Sequence, residues 1–174
     1  MEDFILKLSM IKSSTLTQMK KELEDACRVR VKFSEMDPMN IVWHGSYVKY
    51  LEDGRESFGR HYPGIDYQTM EKAHQPAPVY DVHLKYFASL GINDVAEIHT
   101  FYVYHRGARL DYRYEIYRER DHALCIKAET TQLFIDAQGE LMIDKPEYFA
   151  RWQQKYLKSG SPEVQKSGSP EEQS

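Results

Sequence analysis

Hydrophobic and polar positions change their period along the chain in a fixed order. Val29, Val31 and Phe33 alternate with Arg28, Arg30 and Lys32, the pattern of a short half-buried strand. An irregular link containing Asp37-Pro38 follows. From His44 onward Tyr47, Val48, Leu51, Gly54, Arg55 and Phe58 recur at helical spacing, which predicts one helix of about four turns ending near Gly59 or Pro63. Glycine inside a helix costs about 1 kcal/mol relative to alanine, so Gly54 predicts that something packs very close to that backbone. A sheet wrapped round the helix meets that need. A weaker helical stretch covers residues 66–73.

The remainder reads as strands. Tyr80, Val82, Leu84 and Tyr86 alternate with Asp81, His83 and Lys85, and Ala96, Ile98, Thr100, Tyr102 and Tyr104 share one face of a longer strand. Arg106-Gly107-Ala108 turns the chain. Leu110, Tyr112, Tyr114 and Ile116 then alternate with Asp111, Arg113, Glu115 and Tyr117, and a final strand covers residues 123–135, so the last three strands predict an antiparallel meander. Pro146 opens a short amphipathic helix bearing Tyr148, Phe149, Trp152 and Tyr156. A strand, a long helix and about four long strands define an α+β class.

The flanks read differently. Residues 1–26 form an N-terminal extension in which residues 17–26 allow a short charged helix, with Met19, Leu23 and Ala26 as a thin apolar stripe. Residues 27–157 form the domain. Residues 158–174 hold Lys-Ser-Gly-Ser-Pro-Glu twice, and with so little apolar surface they predict a disordered tail.

Composition narrows the function. With 174 residues, 41% hydrophobic and 29% charged, the chain suits one globular domain. A net charge of -4 gives no protein-wide basic field, so neither nucleic acid nor a membrane surface is an expected partner. The two cysteines, Cys27 and Cys125, stand far apart without metal-ligand spacing, which predicts no metal site and a reducing, cytoplasmic setting. No basic segment precedes a long apolar core near the N-terminus, and no run has the length of a membrane span.

The densest candidate chemistry lies between Phe33 and Glu52. A carboxylate seven residues before a helix, across a compact loop, can fold back beside the helix N-terminus, where unpaired N–H groups favour negative charge. The amides of His44 and Gly45 could then polarise an acyl carbonyl while Asp37 attacks it or activates a water. The plainer reading makes Asp-Pro a turn, Asp37 a cap, His44 a solvated side chain and Tyr47 a core residue.

The run Asp37-Pro-Met-Asn-Ile-Val-Trp-His44-Gly-Ser-Tyr47-Val-Lys-Tyr50 resembles the signature of hotdog-fold acyl-CoA thioesterases of the 4-hydroxybenzoyl-CoA thioesterase type. The resemblance covers about residues 28–135. It implies a long helix wrapped by an antiparallel sheet, a homodimer or homotetramer, and hydrolysis of acyl-CoA without a metal or other cofactor. Position by position it makes Asp37 the catalytic carboxylate, the His44 backbone amide the oxyanion donor, and Tyr47 the motif tyrosine. Met39-Asn40 stands where that family often has small residues, which bears on pocket shape. Glu52 lies near a helix position where related enzymes sometimes carry an acid.

A CoA substrate brings phosphates, and the turn with Arg106, Gly107 and Arg109 offers guanidiniums and exposed amides for them, with Arg118 and Arg120 as second candidates. Two rivals share the fold: a thioesterase acting on acyl carrier protein, and a non-catalytic acyl-binding or interaction module.

Overall fold

The computed structural model describes residues 22–158. In chain order the elements are β1 (Leu23–Arg30), α1 (Tyr47–His61), α2 (Tyr67–Ala73), β2 (Val79–Tyr86), β3 (Val95–Val103), β4 (Arg109–Arg118), β5 (Ala123–Leu133) and α3 (Glu147–Lys158). Short 3-10 turns at Phe33–Glu35 and His44–Ser46 lead into α1. The strands form one antiparallel sheet in the order β1-β3-β4-β5-β2, with α1 lying across β1 and β3. This is the α+β hotdog arrangement, a long helix against a five-stranded sheet.

Register explains which residues meet the helix. Ile98, Ile116 and Ile126 align across β3, β4 and β5, as do Thr100, Tyr114 and Ala128, and all of them are buried. The helix approaches that face most closely at Gly54. A Cβ there would fall 2.5 Å from Thr100 Oγ1 and 3.0 Å from Ile98 Cγ2, so the residue is glycine because the sheet occupies the side-chain space. Further along, Phe58 of α1 and Tyr62 just past its end join Tyr102, Tyr112, Phe149 and Trp152 in an aromatic cluster, and Trp152 Nε1 donates to the Tyr62 carbonyl at 2.8 Å. Each such buried ring contributes about 1.5–3 kcal/mol, which docks α3 onto the C-terminal half of α1.

These contacts also give the helix a direction. Its N-terminal end lies at one end of the sheet, where the Tyr86 hydroxyl donates to the His44 carbonyl at 3.1 Å. Its C-terminal end lies at the other, where the Tyr62 hydroxyl donates to the Glu24 carbonyl at 3.0 Å, beside the Leu23–Tyr102 pair.

Two boundaries differ from the sequence reading. β1 begins at Leu23, so residues 23–26 pair with β3 and belong to the sheet, not to an N-terminal helix. Asp25 on the helix-facing side interrupts the apolar alternation, which hides this part of the strand. The same strand stops at Arg30, and Phe33 is 85% exposed on the following turn. The rest of the N-terminal extension, including the remainder of the allowed helix, and residues 159–174 of the tail lie outside the described residues.

Candidate active site

Residues 35–43 form a small two-armed ribbon ahead of α1. The Trp43 amide donates to the Glu35 carbonyl at 2.8 Å, Met36 and Val42 form an antiparallel bridge, and the Asp37 amide donates to the Ile41 carbonyl at 2.8 Å. Asn40 turns the tip with φ 60°, a left-handed conformation that asparagine tolerates better than most residues. Asp37 is half-buried, and its Oδ1 accepts the Met39 amide at 2.7 Å and the Ile41 amide at 3.4 Å. One carboxylate oxygen therefore does the work of a turn cap. The other, Oδ2, has no protein donor among the described residues.

At the base of the ribbon the chain enters α1 through His44, Gly45 and Ser46. The Ser46 amide returns to the Trp43 carbonyl at 2.8 Å, while the His44 and Gly45 amides meet no acceptor among the described residues. Open N–H groups at a helix start form a site for developing negative charge. The Trp43 ring covers this entry: a Cβ on Gly45 would fall 2.2 Å from it. Only glycine permits that ring position. The His44 side chain is exposed.

Tyr47 lies in the core, 2% exposed, with its hydroxyl accepting the Leu90 amide at 3.1 Å and its ring edge-on to Tyr50 and Tyr86. Burial raises its hydroxyl above the usual phenol range. Beside it stands a pair that the sequence reading overlooked. Glu35 is 4% exposed, and its Oε2 accepts the Tyr50 hydroxyl at 2.7 Å and the Lys32 amide at 2.9 Å. Burial and then the Glu35 contact push the Tyr50 hydroxyl far above its ordinary value, so it remains a proton donor. The partners stand fifteen residues apart in sequence, on elements of different period, and no spacing rule links them.

Glu52 is solvent-facing and pairs with Arg55 one turn on. Arg55 reaches inward instead, 11% exposed, toward the Tyr114 hydroxyl at 3.2 Å and Thr130 Oγ1 at 3.5 Å.

The expected phosphate residues do not gather near Asp37 within the chain. The turn between β3 and β4, which carries Arg106 and Gly107, and Arg109 at the start of β4 lie at the far end of the sheet, near the end of α1. Arg109 is also engaged: its Nε and Nη2 donate to Asp111, and Nη2 donates to Thr131 at 3.1 Å. Gly107 donates its amide to His105 Nδ1 at 2.9 Å, and Arg106 is exposed. Sequence spacing supplied the charges but not the helix direction that separates them from the ribbon. Arg118 and Arg120 do lie at the α1 N-terminal end, Arg118 donating to the Ser89 carbonyl at 2.6 Å and Arg120 to Asp94 at 2.7 Å. Among the described residues no His, Cys, Asp and Glu cluster could hold a metal ion, and no helix is long and apolar enough to cross a membrane.

A carboxylate with one open oxygen, ahead of a helix with two open amides, on a hotdog scaffold defines a class of thioester-handling proteins. The chain belongs to the thioesterase-like superfamily, whose family model matches residues 31–154. It is 31% identical over 140 residues to YneP of Bacillus subtilis (strain 168), designated a candidate acyl-CoA thioesterase, with 80% of this chain and 96% of that protein covered. The crystal structure of the hypothetical protein TT1821 from Thermus thermophilus superposes with TM-score 0.66 at 27% identity, covering 73% of this chain and 95% of that one. The DHNA-CoA thioesterase of Staphylococcus aureus shares the fold, with TM-score 0.68 at 23% identity over 78% of this chain and 89% of that one.

Proposed function

We propose that this chain is an acyl-CoA thioesterase, hydrolysing a thioester to the free acid and CoA, with Asp37 as its catalytic carboxylate and the His44 amide as oxyanion donor. The reading is carried by two features of one short segment: the open Oδ2 of Asp37 on the ribbon, and the open amides where that ribbon enters α1. The thioester oxygen accepts from the His44 amide, and Gly45 offers a second donor. Asp37 attacks the carbonyl carbon or takes a proton from an attacking water; either route leaves charge on that oxygen, which the fixed amides stabilise. The C–S bond then breaks and CoA leaves as thiolate. Where water was the nucleophile the free acid is already formed; where Asp37 was, a water then hydrolyses the acyl-aspartyl anhydride to the free acid and restores the carboxylate. Removing one such donor elsewhere costs about 10²–10³ in turnover, so the helix start is central to the chemistry.

In this reading Tyr47 positions rather than reacts, because its hydroxyl already holds the Leu90 amide. For the CoA phosphates, Arg118 and Arg120 are better placed than Arg106, Gly107 and Arg109, since they share an end of the sheet with His44. Two copies are expected to associate. β2 is an edge strand with Val79, Tyr80, Val82 and Tyr86 exposed, an unsatisfied rim that a second copy would cover. A cytoplasmic setting agrees with Cys27 and Cys125, both free thiols.

The test is a thiol-release screen of the purified chain over acetyl-, octanoyl-, palmitoyl- and benzoyl-CoA, with the matching acyl-carrier-protein thioesters alongside. Saturable release from at least one acyl-CoA supports the reading. Release only from carrier-protein thioesters moves the donor, and release from none makes the chain a binding module.

A further inference from the structure

We propose that Glu35 is a positioning residue for the reaction: its hydrogen bond to Tyr50 locks the ribbon carrying Asp37 onto α1, and so sets the carboxylate relative to the His44 amide. The inference rests on the thioesterase reading and names a group that touches neither substrate nor reacting atoms.

Glu35 is the residue where three parts of the site join. Through its carboxylate it holds α1, by way of the Tyr50 hydroxyl at 2.7 Å, and the start of the preceding 3-10 turn, by way of the Lys32 amide at 2.9 Å. Through its backbone carbonyl it holds the return arm, accepting the Trp43 amide at 2.8 Å one residue before His44. Asp37 follows two residues later on the same arm. The return arm has a second anchor: the Val42 amide donates at 2.8 Å to the carbonyl of Leu90, whose own amide donates to the Tyr47 hydroxyl. On the arm bearing Asp37, the Glu35–Tyr50 bond is the hydrogen bond to α1 among the described residues.

The chemical cost of the arrangement also points away from simple packing. Glu35 is almost fully buried, it forms no ion pair with a Lys, Arg or His among the described residues, and it has one phenol and one amide for company. A buried carboxylate without a cation is unfavourable unless its hydrogen bonds are well made. An apolar residue would fill the same volume more favourably and could not orient anything. Tyr50 is fully buried and is kept protonated by its surroundings, so the donor end of the tie is permanent. Reacting groups misplaced by a fraction of an ångström to an ångström lose turnover while the substrate still binds.

The experiment measures kcat and KM for benzoyl-CoA and octanoyl-CoA in the wild type, Asp37→Asn, Glu35→Ala, Glu35→Gln and Tyr50→Phe, with folding checked by circular dichroism. Tyr50→Phe and Glu35→Ala are expected to lower kcat about tenfold or more with KM within about threefold. Glu35→Gln keeps an oxygen acceptor and is expected to recover most of that loss. If Glu35→Ala does not fold, Tyr50→Phe reads the same tie with one oxygen removed. Tyr50→Phe with wild-type kcat and only a lower melting temperature overturns the proposal, leaving the Asp37 assignment intact. So does Glu35→Gln losing as much as Tyr50→Phe, since charge rather than the tie would then matter. No turnover by the wild type, or full turnover by Asp37→Asn, removes the site reading itself and this inference with it.

Discussion

At the scale of single residues, space and hydrogen-bond partners decide more than residue type. Gly54 and Gly45 are each fixed by what fills the side-chain space, Thr100 and Ile98 of the sheet in the first case and the Trp43 ring in the second. Gly54→Ala should therefore destabilise the chain by about 1–3 kcal/mol through overpacking, even though alanine favours a helix by about 1 kcal/mol. Urea unfolding checks this, and a gain in stability would mean that α1 can lift off β3 at no cost. Gly54 was legible in the sequence because an interior helical glycine demands a reason. The position of Asp37 and His44 ahead of a helix start was legible from their spacing, while their roles belong to the proposed function. Glu35 was not, since a single Glu in a polar stretch carries no signal until Tyr50 is seen to donate to it.

Among elements, the strands of the meander were readable because each keeps a two-residue alternation over most of its length. The start of β1 was not, because Asp25 sits on the helix-facing side with its Oδ1 on His61 Nδ1 at 2.8 Å. The short helix α2 shows how an element of seven residues holds without much propensity. Asp66 caps it, accepting from the Thr69 amide at 3.0 Å, the Thr69 hydroxyl at 2.9 Å and the Gly64 amide at 3.2 Å. Burial by itself would raise the Asp66 carboxyl, but these donors outweigh it and hold the group below its ordinary range. A depressed folded-state value contributes stability that is complete above the unfolded pKa, about 3.9. That contribution disappears as the pH falls through the folded-state value. Asp66→Asn keeps an acceptor and removes the titration, so its melting temperature should fall less steeply than the wild type's between pH 5 and pH 2, beyond any shared offset. Parallel acid profiles would count against the cap.

For the whole molecule, the open question posed by the fold is what covers β2. The sheet order leaves β1 and β2 at the edges, and β2 carries the exposed apolar residues, Val79, Tyr80, Val82 and Tyr86. Tyr80→Lys combined with Val82→Lys should shift the mass seen in light scattering from dimer or larger toward monomer, with the chain still folded. A monomeric wild type of full activity would contradict the association. Helix direction, a property of the whole fold, is also what separated Arg106 and Arg109 from the ribbon, and no local motif encodes it. The proposed chemistry depends on Asp37 on the ribbon acting together with the open amides at the start of α1 to break a thioester. Its most direct test is thiol release from the best acyl-CoA substrate by Asp37→Asn, compared with the wild type at equal folded concentration. A fall in kcat of about 100-fold or more with an unchanged circular dichroism spectrum is expected, whereas a folded Asp37→Asn chain that turns over at near the wild-type rate would contradict the role of Asp37.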